Sequence, residues 1–103
     1  MTDVTQPERS DIELPGVLAA LSDPIRLAIV AELHARGEVA CGTLHYDVTK
    51  STRSHHLKVL REAGVTATRI DGVERLVRLR YDCLEARFPG LLGSILSAAH
   101  GSR

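Results

Sequence analysis

The apolar residues of the first third of the chain recur every three or four positions, which predicts two helices. The stretch LPGVLAALSD, residues 14–23, has this spacing and a proline near its start. SDPIRLAIVAELHARG, residues 22–37, predicts a longer helix, because Ser or Asp can cap it, proline suits its first turn and glycine can end it. Residues 1–12 are polar, and we expect a disordered tail there.

A second pair of helices is expected in the middle of the chain. A short helix should run from about Cys41 to Tyr46, followed by a brief turn. Thr49 is a suitable N-cap for a long helix over residues 50–63, and Gly64 can end it. Two helices joined by a three- or four-residue turn form a helix-turn-helix.

A hairpin is expected directly after that helix-turn-helix. Residues 65–80 read VTATRIDGVERLVRLR, with Asp71-Gly72 set between β-branched and apolar residues. This dipeptide is a strong short-range signal for two antiparallel strands joined by a tight turn. The predicted fold is therefore mainly α with a small β-hairpin: four helices, two strands forming a wing, and a fifth helix.

The last segment, residues 82–103, carries a further apolar stripe at helical spacing. Pro89 is expected to divide it into a short turn and a helix. Its apolar face is larger than one small core absorbs, so we expect it to pack against the first helix of a second copy of the chain. The expected dimer interface comprises Leu14, Val17, Leu18, Leu91, Leu92, Ile95 and Leu96.

Two adjacent histidines, His55 and His56, suggest a metal or acid–base site in the helix of residues 50–63. Neighbouring positions on a helix lie about 100° apart, whereas two histidines that share a metal are spaced i, i+4. A joint site is therefore not expected. His55 falls on the polar face of the helix, and His56 falls beside its apolar face.

The polar face of this helix suits contact with DNA. Small serines let a helix approach base edges, and Lys and His can address purine acceptors. The expected base-reading residues are Lys50, Ser51, Ser54 and His55, near the helix N-terminus that a helix-turn-helix presents to the major groove. Backbone contacts are expected from Thr52, Arg53, Lys58 and Arg61.

Composition limits the chain to one compact domain, which we place at residues 13–100 of 103. Apolar residues make up 44% and aromatic residues 3%, so the core must consist mostly of aliphatic side chains. No run approaches the roughly 18 apolar residues of a membrane span, and the N-terminus lacks signal-peptide character. We expect a cytoplasmic protein that does not associate with membranes.

Charge is distributed unevenly along this chain of zero net charge. Residues 1–47 hold three basic and eight acidic residues, whereas residues 50–80 hold eight basic and three acidic residues. A cationic middle is the footprint expected for phosphate contact. A solvated basic face is the alternative interpretation of the same pattern.

Three stretches together resemble the ArsR-type family of winged helix-turn-helix transcriptional regulators. They are LSDPIRLAIVAEL at 21–33, VTKSTRSHHLKVLREAGV at 48–65 and the wing at 66–80. The likeness covers about residues 14–99. It implies a homodimer, joined through the first and last helices, that binds a two-fold symmetric operator in double-stranded DNA. Most relatives are repressors that an inducer releases from DNA.

By position, the resemblance implies that Arg69 and Arg75, beside the wing tip, contact the DNA backbone or minor groove. Two positions depart from the family pattern. Arg53 stands where an aliphatic residue is usual, and we expect it to extend outward to a phosphate. Asp47 stands where the turn often has glycine.

The sequence leaves the inducer open among a small molecule, a metal ion and an oxidant. The family's Cys-x-Cys metal site is incomplete in EVACGTL, and the ligands of its other common site are missing, so no metal or cofactor is expected. Cys41 with His45, spaced i, i+4, or Cys41 with Cys83 are possible sensing residues. The simpler interpretation of Cys41 is a buried apolar residue.

Two other function classes remain as alternatives. One is a protein-interaction module that keeps the winged fold without binding DNA. The other is a Cys–His hydrolase, for which Cys41 and His45 are the only candidate residues. The second lacks an orienting third group nearby, so no enzymatic activity is expected.

Overall fold

The structure is a computed structural model that describes residues 4–99. Within these residues, five helices and three strands follow one another, with short 3₁₀ turns at Arg9–Asp11 and Cys41–Thr43. The elements are α1 (Leu14–Ala20), α2 (Pro24–Arg36), β1 (Val39–Ala40), α3 (Lys50–Glu62), β2 (Thr66–Asp71), β3 (Glu74–Leu79), α4 (Tyr81–Arg87) and α5 (Leu91–Ala99). The predicted fold class, a mainly α winged helix-turn-helix, is confirmed.

The wing is a three-stranded antiparallel sheet in the order β1-β3-β2. Asp71 pairs with Glu74 across a two-residue loop, and Gly72 occupies its first position with a φ of 65°. A type II′ hairpin turn needs glycine at this position, because its backbone has a positive φ. The short strand β1 was not predicted; its two residues pair with β3 residues 38 and 36 positions away in sequence, so no local pattern marks it.

The core lies between α2, α3 and the inner face of the sheet. Aliphatic side chains fill it, as the composition predicts, and α4 and α5 close it from the other side. The fully buried members are Ile12, Val17, Ile29, Val30, Leu33, Leu44, Leu60, Val65 and Val77.

The helix predicted from Cys41 to Tyr46 is wrong. Only Cys41–Thr43 form a 3₁₀ turn, and the chain then runs without a helix until Lys50. Leu44 is extended and fully buried, and the hydroxyl of Tyr46 donates a hydrogen bond to Glu32 on α2. These two tertiary contacts hold the segment in an open conformation, which overrides a weak helical pattern.

The segment expected as a disordered tail is packed against the fold over residues 4–12. Ile12 is 1% exposed and lies against Gly64. The side-chain amide of Gln6 makes two hydrogen bonds with the backbone of Thr68, at 3.1 and 2.8 Å. The polar composition of this segment suggested disorder, whereas residues 4–12 are ordered by contacts with residues about 50 to 60 positions away. Residues 1–3 of the predicted tail lie outside the described part.

The residues expected at a dimer interface divide into two groups. Val17, Leu92 and Leu96 are buried within the single chain, so they belong to its own core. Leu14 and Leu18 are 40% and 45% exposed, and Leu91 and Ile95 are partly exposed.

Over residues 4–99, no single helix has the length and hydropathy to cross a membrane. The helices α1 and α2 reach those values only as a pair, and they are bent by 101° at their junction.

Candidate nucleic-acid interface

The helix α3 is positioned by caps at both ends. The hydroxyl oxygen of Thr49 accepts a hydrogen bond from the backbone N–H of Thr52 at 3.1 Å, which satisfies one of the free donors of the first turn. At the other end Gly64 has a φ of 87°, which allows the chain to turn into β2. Thr52, predicted to contact the DNA backbone, also donates its N–H within this cap.

One face of α3 projects into solvent along its N-terminal two turns. Its side chains are exposed and include two cations, two small hydroxyls and one imidazole; they are Lys50, Ser51, Ser54, His55 and Lys58. Lys58 lies 4.0 Å from Glu62 in an exposed ion pair, which holds it only weakly. The four predicted base-reading residues are therefore brought together on one accessible surface.

The opposite face of α3 anchors the helix to the core. Leu57 and Leu60 are buried, and His56 is 9% exposed. Nδ1 of His56 lies 3.1 Å from Nη1 of Arg26, and because a guanidinium only donates, the imidazole accepts. His55 and His56 therefore face solvent and core respectively, as the helix geometry predicts.

Asp23 connects this anchor to the start of α2. Its carboxylate accepts hydrogen bonds from the backbone N–H groups of Ile25 and Arg26, at 2.9 and 3.0 Å, and lies 3.8 Å from Nε2 of His56. The hydrogen bond from the Arg26 N–H is the main cause of the lowered pKa of Asp23. The N-terminus of α2 thus fixes the inner side of α3.

Arg53 does not extend outward as expected. Its Nη1 donates to the carbonyl oxygen of Leu44 at 3.0 Å, and its Nε is buried with no hydrogen-bond partner among residues 4–99. The partly buried guanidinium joins α3 to the open segment before it. No local pattern indicates this role, because the contact depends on the extended path of the chain at Leu44, nine positions before Arg53.

The wing presents its two predicted arginines differently. Arg69 donates from Nε and Nη2 to both oxygens of Glu38, each at 2.9 Å. This bidentate contact lowers the pKa of Glu38 and raises that of Arg69. Arg75 is exposed beside α3, and Val73 at the wing tip is 103% exposed.

A cleft of about 530 Å³ separates α3 from the wing. Its polar lining includes Lys50, Arg53, Arg61 and Arg75. Arg61 is tied through Nε to the carbonyl oxygen of Thr5 at 3.2 Å. Of the six predicted backbone-contacting side chains, three thus lie where the helix and the wing face each other, whereas Thr52, Lys58 and Arg69 do not line the cleft.

The cysteines lie in different surroundings. Cys41 lines this cleft, where burial raises the pKa of its thiol and the charges of Arg53, Arg75 and Arg61 oppose that rise. Cys83 lies in a second depression, with its sulfur 3.7 Å from Arg80. Both thiols are free, and His45 does not line the Cys41 cleft.

Residues 4–99 contain no group of three or more His, Cys, Asp or Glu side chains placed to hold a metal ion.

Comparison with known proteins places the chain among transcriptional regulators. A helix-turn-helix domain family matches residues 21–69. The chain is 39% identical over 95 residues to an uncharacterized HTH-type transcriptional regulator, YceK, of Bacillus subtilis; the match covers 89% of this chain and 95% of that protein. It is 35% identical over 74 residues to the arsenical resistance operon repressor of Staphylococcus xylosus, covering 71% of each.

The fold agrees with that of solved regulators. A crystal structure of an ArsR family transcriptional regulator superposes with a TM-score of 0.66 at 23% identity, over 93% of this chain and all of that one. The family is one of regulators rather than enzymes. With relatives above 30% identity that the chain covers over most of their length, the chain belongs to the ArsR-type family of winged helix-turn-helix DNA-binding transcriptional regulators.

Proposed function

We propose that this chain is a dimeric repressor that binds a two-fold symmetric operator through α3. The observation that carries the proposal is the exposed N-terminal surface of α3. It presents Lys50, Ser51, Ser54 and His55 without steric cover, while the buried face of the helix is fixed by Leu57, Leu60 and His56. A rigid helix with a small, hydrogen-bonding outer face suits insertion into a major groove.

The proposed contacts divide between bases and phosphates. Lys50, Ser51, Ser54 and His55 read base edges. Lys58, Arg61 and Arg75 contact the backbone, and Arg69 does so from its ion pair with Glu38. Arg53 supports α3 through Leu44, so its contribution to DNA affinity is through position rather than direct contact.

The proposed dimer joins α1 and α5 of two copies. Leu14 and Leu18 are exposed, and Leu91 and Ile95 are partly exposed, which leaves an aliphatic surface that a second copy can cover. A symmetric dimer would place its two α3 helices in successive major grooves, roughly 34–36 Å apart. We propose that residues 13–100 form the domain that both dimerises and binds DNA. We also propose that the protein acts in the cytoplasm, where the chromosome lies.

The repressor role is extended from relatives whose names state it, such as the arsenical resistance operon repressor of Staphylococcus xylosus. We propose that an inducer releases the protein from its operator. We do not extend an arsenical inducer from that relative to this chain, because residues 4–99 hold no cluster of three metal-ligating side chains.

The test is selection of bound fragments from a genomic DNA library, followed by affinity measurement on the selected sequence. We expect an inverted repeat with half-sites one helical turn apart, bound at least about 1000-fold more tightly than random DNA. The double variant Lys50→Ala, Ser54→Ala should lose that preference while keeping its fold. Equal binding of all fragments by the folded wild type would contradict the proposal.

A further inference from the structure

The cleft between α3 and the wing has the size and shape of a small-molecule site. Its volume of about 530 Å³ lies within the range of roughly 300–1,000 Å³ that ligand pockets occupy. The turn at Cys41–Thr43 forms its floor, and α3 and the wing form its walls. A single phosphate group would not fill this space.

The charge of the cleft selects for anions. Four cationic side chains, Lys50, Arg53, Arg61 and Arg75, line it, and Glu74 is the only carboxylate among the described residues that line it. This excess lies in a chain whose formal net charge is zero. Clefts lined by one sign of charge concentrate ligands of the opposite sign.

Two of these arginines are held in place before any ligand arrives. Arg53 is anchored to the carbonyl oxygen of Leu44, and Arg61 to that of Thr5. The buried Nε of Arg53 donates to no acceptor among residues 4–99, which is costly for a guanidinium. Anchored side chains lose less conformational entropy on binding, which favours a ligand.

The cleft also offers apolar surface. Ala40, Leu57 and Val73 contribute to its lining beside the cations. A ligand that carries both an anionic group and a carbon skeleton would contact both kinds of surface, as ligand pockets commonly require.

We propose that the α3–wing cleft binds a small organic anion bearing phosphate or carboxylate groups, and that bound anion excludes DNA. Lys50 and Ser54 belong both to the cleft and to the surface proposed to read bases, so the two ligands compete for the same side chains. The exclusion of DNA rests on the proposed function; the binding of the anion does not. Both ligands would present an oxyanion to the cleft: DNA through a backbone phosphate, and the small molecule through its phosphate or carboxylate group.

The first experiment asks whether the free protein binds an anion in the cleft. Inorganic pyrophosphate is titrated into the full chain while the ¹H–¹⁵N signals of the arginine side chains are recorded, with potassium chloride at matched ionic strength as reference. We expect a saturable change at Arg53, Arg61 and Arg75. A linear change equal to that in chloride would overturn the proposal.

Variants then locate the site. Arg75→Gln and Lys50→Gln should each weaken pyrophosphate binding by about tenfold, the loss expected when one charge-assisted contact is removed. Arg78→Gln is the matched control, because Arg78 is also an exposed β3 arginine but does not line the cleft. Equal weakening in Arg75→Gln and Arg78→Gln would overturn the assignment to the cleft.

A second arm separates the two sources of oxyanion. Pyrophosphate at constant ionic strength should weaken binding of a selected DNA duplex, with a midpoint near its dissociation constant for the free protein. Saturable pyrophosphate binding with unchanged DNA affinity would overturn the exclusion. A protein that binds pyrophosphate and no DNA would contradict the proposed function and leave the anion site standing.

Discussion

Two surfaces of this protein differ in polarity and therefore in the free-energy cost of their exposure to water. The α3–wing surface, formed by Lys50, Ser51, Ser54, His55 and Arg75, is polar and cationic. The α1–α5 surface, which we define as the exposed Leu14 and Leu18 of α1 together with the partly exposed Leu91 and Ile95 of α5, is aliphatic. The first is stable in water and its exposure costs nothing, whereas the second gains free energy only when another surface covers it.

Because the two surfaces differ in polarity, different observations support dimerisation through one and DNA binding through the other. For the α1–α5 surface, exposure itself is the argument, because leucines at 40% and 45% exposure on neighbouring turns form a patch rather than isolated contacts. For the α3–wing surface, the argument is convergence: a fixed helix, an adjacent wing and several cations lie around one cleft. Substitutions on the two surfaces should therefore separate dimerisation from DNA reading.

The largest effect is expected from Leu18→Glu, which places a charge in the proposed interface. The variant should sediment as a monomer, and its operator affinity should fall by about 100-fold or more, because two linked half-site contacts become independent. Sedimentation equilibrium and operator binding measure the two effects. Val73→Glu is the control for exposed apolar residues, since the wing tip is fully exposed and this variant should remain dimeric.

If Leu18→Glu retained the mass of a dimer, the proposed assignment of the dimer interface to the α1–α5 surface would be wrong.

A smaller effect is expected from two lysines on the same helix. Lys50→Ala should reduce the preference for operator over random DNA by about tenfold or more, because a base contact is worth about 1–3 kcal/mol. Lys58→Ala should weaken both kinds of DNA to the same degree, since a phosphate contact carries no sequence information. Competition binding against random duplex measures the ratio. If Lys58→Ala instead weakened operator binding more than binding to random DNA, Lys58 would belong to the base-reading residues.

The two histidines test where that surface ends. His56→Ala should lower the free energy of unfolding by about 1–3 kcal/mol, because it removes the acceptor of Nη1 of Arg26 and opens space in the core. His55→Ala should change it by less than about 0.5 kcal/mol, since His55 is exposed. Urea unfolding of both variants gives the comparison. Equal destabilisation would show that the inner and outer faces of α3 are wrongly assigned.

The smallest effect concerns the ion pair between Glu38 and Arg69. Because Arg69 lowers the pKa of Glu38 below its ordinary 4.5, the pair stabilises the fold above that pH and the contribution is lost as pH falls through the lowered value. Glu38→Gln should therefore lower the urea midpoint slightly at pH 7 and not at strongly acidic pH. A difference that persists in acid would contradict this interpretation.

Much of the fold follows from local patterns. The caps at Thr49 and Gly64 define α3, and Asp71-Gly72 places the wing turn within one residue. These features depend on residues close in sequence, so they can be predicted without knowing the tertiary structure. The exposed face of α3 follows for the same reason, since helical periodicity alone separates His55 from His56.

The remainder depends on contacts between distant residues. Gln6 binds Thr68 across 62 positions, and Arg69 binds Glu38 across 31. The role of Arg53 depends on the extended path of the chain at Leu44, whose carbonyl oxygen it reaches from nine positions away in sequence. No periodicity or composition identifies such pairs, so these contacts could not be predicted.

Contact between the α3–wing surface and DNA phosphates makes operator affinity depend on salt concentration. If each protomer of a dimer neutralises two or more phosphates, the slope of log K against log salt concentration should be about −4 or steeper. Arg75→Gln, which removes one proposed phosphate contact per protomer, should make that slope shallower by roughly 2. A flat salt dependence for the wild-type protein would contradict the assignment of the α3–wing surface to DNA.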